Sequence, residues 1–165
     1  MKKRFGLLMA AALCAGMMSA QAISFGDAPS GVAKKGHLLQ LSDVVTVDAG
    51  KAEFVELRFK VDEGYHINSH TPKDPLLIAT AFKFDDVSGV KVLAVEYPKG
   101  AAFQLGQGKD AMALDVYQGE FRVRLKVLAE RGGQTLTGAL HYQACDDASC
   151  FPPKNLPVKV AVNAK

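Results

Sequence analysis

Val55-Glu56-Leu57-Arg58-Phe59-Lys60-Val61 alternates apolar and charged residues without a break. Phe121-Arg122-Val123-Arg124-Leu125-Lys126-Val127 does the same. A period of two puts every apolar side chain of such a stretch on one face, so each reads as a strand with one buried and one solvated side. Working outward, Leu136, Leu140 and Tyr142 share a parity around Gly138, and Val158, Val160 and Val162 share one near the C-terminus. Weaker strands are expected over roughly 38–47, 78–84 and 90–97. Asp48-Ala49-Gly50, Asp62-Glu63-Gly64, Pro98-Lys99-Gly100 and Arg131-Gly132-Gly133 supply turn chemistry between them. No amphipathic helix is legible after the N-terminal segment. Seven or eight short strands with one charged face each predict an all-β, immunoglobulin-like antiparallel β-sandwich.

Two stretches break the alternation: residues 67–75, polar and carrying Pro72 and Pro75, and residues 101–113, a glycine-containing loop without periodicity. Long irregular loops in a compact domain often carry function. With 165 residues, 48% hydrophobic and 22% charged, the chain has the balance of an ordinary globular protein, which excludes disordered and collagen-like readings.

The first 22 residues have the form of a cleaved export signal. Lys2, Lys3 and Arg4 precede an apolar run, and Ala20-Gln21-Ala22 ends it with small residues at the cleavage positions. Leu13 before Cys14 does not suit a lipid-anchor site. Loss of 1–22 removes three positive charges and brings the formal net charge from +3 to zero. That leaves no basic footprint for nucleic acid. The expected organisation is a signal at 1–22, a loose leader at 23–36 and one domain at 37–165. The mature protein is expected to be periplasmic and soluble, with no direct membrane anchor. It keeps two cysteines, Cys145 and Cys150, in a compartment where disulfides persist.

Those cysteines lie in Tyr142-Gln143-Ala144-Cys145-Asp146-Asp147-Ala148-Ser149-Cys150-Phe151-Pro152-Pro153. A turn can bring their sulfurs together. A loop this short stabilises a fold by only about 2 kcal/mol when closed, so a reversible redox bond explains the pair better than fold stability does. Asp146 and Asp147 disfavour a thiolate on either cysteine, and the reduced pair therefore needs a partner or a base to activate it.

The cysteine segment, with Gly64-Tyr65-His66-Ile67, Thr71-Pro72 and Val116-Tyr117-Gln118-Gly119, resembles the N-terminal periplasmic domain family of the thiol:disulfide interchange protein DsbD. The resemblance spans most of 37–162 and is most specific at the cysteines. It implies that Cys145 and Cys150 form a redox disulfide relaying reducing equivalents to or from thioredoxin-fold periplasmic partners, without a cofactor. The donor would be a separate membrane protein. By motif position Cys145 is the cysteine that forms the mixed disulfide. Around the pair, Tyr142, Phe151 and Pro152 are expected to assist or shield. His66 and Asn68 stand where the family often carries aromatic residues, and His66 is a candidate proton shuttle. Phe103 is the aromatic residue of the 101–113 segment, the natural candidate for the family's cap loop.

Two other readings stay open. His66 and His70 with Cys145 and Cys150 form a ligand set suited to zinc or copper. Alternatively, the domain is a structural immunoglobulin-like module with a passive disulfide. Hydrolase and nucleotide-binding motifs are absent from the sequence.

Overall fold

The computed structural model describes residues 36–165 except Gln107. The expected export signal and the leader up to residue 35 lie outside the described residues. Among the described residues the chain is built from twelve strands and one 3-10 turn. The alternating stretches quoted above are β3 (Ala52–Val61) and β9 (Glu120–Ala129), paired antiparallel with Phe59 opposite Phe121 and Glu56 opposite Arg124. Leu57, Phe59, Val123, Leu125 and Val127 are fully buried, while Glu56, Arg58, Lys60, Arg122 and Arg124 face solvent.

β1 (Leu38–Gln40), β3, β9 and β6 (Val90–Glu96) form one sheet in that spatial order. The second is β2 (Val44–Val47), β12 (Lys154–Ala164), β10 (Gly132–Tyr142) and β5 (Ala81–Phe84). Their inner faces share one core, to which Phe59, Leu125, Leu136, Leu140, Val158 and Val160 contribute. This is the expected immunoglobulin-like sandwich, antiparallel throughout except where β2 lies parallel to β12. Pro157 is tolerated in β12 because β2 reaches only Ala161–Ala164, so the proline lacks a neighbour on that side. The expected strand at 38–47 is in fact two. At residues 41–43 the chain crosses from the first sheet to the second, held there by the Ser42 hydroxyl, which accepts the Arg58 N–H at 2.7 Å.

A third sheet stands at the cysteine end, in the order β11 (Ala144–Cys145), β4 (His66–Asn68), β8 (Met112–Tyr117), β7 (Ala101–Leu105). Residues 101–113 are therefore not an irregular loop. They make β7, the 3-10 turn Gly108–Asp110 and the start of β8, a hairpin in register from Ala101–Val116 to Leu105–Met112. Its alternation is weak because β7 and the first residues of β8 stay largely exposed and carry no apolar stripe. The polar stretch at 67–75 begins in β4 and becomes irregular after Asn68. Ser69 ties it down: its N–H donates to the Asp115 carbonyl at 2.8 Å and its hydroxyl to the Asp115 carboxylate at 3.0 Å.

Candidate redox site

Tyr142 ends the alternation of β10, and the chain then turns into β11, which carries Cys145. Cys145 and Cys150 are joined by a disulfide across a tight turn, their Cα atoms 4.0 Å apart. The turn is closed by two backbone bonds, Asp146 N–H to Ser149 O at 2.9 Å and Phe151 N–H to Ala144 O at 2.8 Å. Asp146 builds its interior: one carboxylate oxygen accepts the N–H groups of Ala148 at 2.8 Å and Ser149 at 2.7 Å. Those bonds hold the carboxyl below the usual carboxylate range. Asp146 is thus a turn-former with its charge committed to the loop backbone.

The two sulfur-bearing residues differ sharply in access. Cys145 has no exposed surface, whereas Cys150 is exposed. β11 pairs with β4 so that Cys145 lies opposite His66. Directly opposed residues of a ladder present their side chains to the same face, with Cβ atoms about 5 Å apart. His66 is itself buried, at 1% exposure, and its Nε2 has no hydrogen-bond partner among the described residues. Burial pushes its pKa below 6.5, and the nearby carboxylates of Asp147 and Asp146 only partly oppose that. The ring is therefore neutral near pH 7. Phe103, reaching over from β7, lies with its ring centroid 4.2 Å from that of His66.

The remaining sequence candidates are distributed around this centre. Asn68 is fully buried on β4, and its amide donates to the Ile78 carbonyl at 3.1 Å. Its carbonyl oxygen Oδ1 finds no partner among the described residues. Tyr142 packs in the core, and its hydroxyl donates to the Gly36 carbonyl at 2.7 Å. Phe151 is half-buried against Tyr65 and His37, and Pro152 is exposed.

The proposed metal ligand set is not assembled. Both sulfurs are bonded to each other. His70 is held elsewhere, its Nδ1 2.9 Å from the Thr80 carbonyl and its ring stacked 3.7 Å from Tyr97. Among the described residues no three His, Cys, Asp or Glu side chains are grouped to hold an ion. Sequence reading missed His37, whose partners Asp62, Tyr65 and Phe151 are distant in the chain. No local motif marks it.

Fold and site together define an immunoglobulin-like thiol–disulfide exchange carrier. The chain belongs to the family of the N-terminal domain of the thiol:disulfide interchange protein DsbD, whose family model matches residues 36–161. Among solved structures it is similar to the N-terminal domain of Neisseria meningitidis DsbD in the reduced form. That match has 19% identity over 70% of this chain and 82% of that one, with a TM-score of 0.42. It is also similar to the N-terminal periplasmic domain of ScsB from Proteus mirabilis. There the identity is 15% over 74% of this chain and 44% of that one, with a TM-score of 0.48. No curated protein sequence matches the chain. No helix among the described residues is long and apolar enough to cross a membrane.

Proposed function

We propose that this domain works in the periplasm, carrying two electrons at a time between a membrane donor and thioredoxin-fold acceptors. The observation that carries the mechanism is the contrast between buried Cys145 and exposed Cys150. A sulfur must be reached in line to be attacked, so Cys150 is the point of exchange. This reverses the order that motif position alone suggests. In accepting electrons, a donor thiolate attacks Cys150 Sγ. The Cys145–Cys150 bond breaks, a mixed disulfide forms, and Cys145 leaves as a thiolate that takes up a proton. The donor's second thiolate then attacks the donor sulfur of the mixed disulfide and releases reduced Cys150.

In giving electrons, the Cys150 thiolate attacks the acceptor disulfide, and Cys145 must lose its proton to resolve the mixed disulfide. Neutral His66, opposite Cys145 with its Nε2 unengaged, is the base placed to take that proton. The β7–β8 hairpin acts as the cap, with Phe103 keeping water from the imidazole. Tyr142, Phe151 and Pro152 frame the loop, and Asn68 ties β4 to the segment that follows it.

A redox titration of the domain, with thiols counted by alkylation and intact mass, tests the reading. The expected midpoint is that of a thioredoxin-type carrier, between roughly −180 and −280 mV. A midpoint well below about −300 mV would instead identify a structural bond.

A further inference from the structure

Next to the exit of the cysteine loop lies a cluster that the exchange steps leave unused. His37 has φ 58°, which makes it the one non-glycine residue among those described in the left-handed region. L-residues adopt that conformation at a cost, and such outliers persist where the surroundings over-determine them. Here the surroundings do. The His37 carbonyl accepts the Asp62 N–H at 3.0 Å, and its Nδ1 lies 3.2 Å from Asp62 Oδ2. Its ring stacks on Tyr65 at 3.6 Å with the planes 11° apart. The same ring lies 5.6 Å from Phe151, which in turn lies 5.9 Å from Tyr65.

Phe151 directly follows Cys150. Its N–H is bound to the Ala144 carbonyl, and its carbonyl accepts the Gln143 amide at 3.0 Å. The chain entering β1 therefore grips the residue through which the loop leaves. We propose that His37 is a positioning residue for exchange. Through Phe151 it keeps Cys150 beside Cys145 in the dithiol form. This rests on the exchange reading given above.

Closing the disulfide from the dithiol releases two electrons and two protons. With glutathione disulfide as oxidant, two glutathiones are the balancing product. A tighter dithiol closes more readily, which makes the couple more reducing. The test is a glutathione redox titration of the wild type, His37→Asn and Asp62→Asn under the same buffer conditions. Asparagine tolerates the left-handed conformation, and circular dichroism checks the fold.

His37→Asn is expected to lower the closure constant about tenfold, which is about 30 mV less reducing. Asp62→Asn, which removes the side-chain partner of the ring, should give a smaller loss in the same direction. A wild-type midpoint in folded His37→Asn overturns the proposal. Should His37→Asn fail to fold, Asp62→Asn decides alone: a wild-type midpoint overturns it. Failure of the exchange reading looks different, since all three proteins would then lack a reversible midpoint in the carrier range.

Discussion

Cys150 is exposed and Cys145 is not, although both belong to one turn of chain. Position in a β-turn decides this: Cys145 closes a strand against β4, and Cys150 returns along the outside. Cys145→Ser should therefore still capture a thioredoxin-fold partner as a stable mixed disulfide, while Cys150→Ser should capture none. Trapping on non-reducing gels with a single-cysteine partner reads this directly, and capture by the Cys150→Ser variant would falsify the assignment.

His66→Gln should slow resolution of the mixed disulfide by roughly tenfold or more, leaving the first attack unaffected, as stopped-flow exchange would show. His66 also shapes stability. Its native pKa lies below 6.5, so between 6.5 and the native value the unfolded chain binds a proton that the folded chain does not. The stability associated with the neutral ring is complete above about pH 6.5 and is lost as the pH falls through that window. Urea titrations at stepped pH should show the wild type losing stability below about pH 6.5 more steeply than His66→Gln.

At the level of elements, β3 and β9 were legible because each buries one face on a single core, and period two is then written into the residue types. The β7–β8 hairpin was not. It continues the sheet of β4 through β8, and because β7 and the first residues of β8 stay largely exposed, pairing rather than patterning holds that part of it. Residues 38–47 looked like one strand because a switch between sheets keeps the backbone extended and leaves only Ser42 and Asp43 as a break.

Gly138 shows the reverse case, where the parity is legible in the residues around it but its reason is not. A Cβ there would stand 2.5 Å from the Lys83 carbonyl oxygen and 2.8 Å from the Phe84 Cα, both backbone atoms of β5. Gly138→Ala should therefore push β5 off β10 and cost about 2–3 kcal/mol, measurable as a lower urea midpoint. Amide exchange should quicken in β5 before it does in β9.

Across the whole molecule the disulfide is a minor support. A loop of this length contributes about 2 kcal/mol, and a shared core spanning both large sheets carries the rest. The reduced domain should stay folded, its melting point falling by less than about 10 °C. Calorimetry with and without reductant checks this, and unfolding on reduction would favour a structural bond. The sequence by itself determined the all-β class, the sandwich and the identity of the cysteine pair, because alternation and a short cysteine spacing are local properties. It also singled out His66 and Phe103, though not that they meet. Tertiary structure alone decided which cysteine is exposed and that His66 stands opposite Cys145. It likewise took His70 out of any shared ligand set and brought His37 to Phe151. Each of these depends on contacts between segments far apart in the chain, and no local pattern of residue types encodes which distant segment arrives.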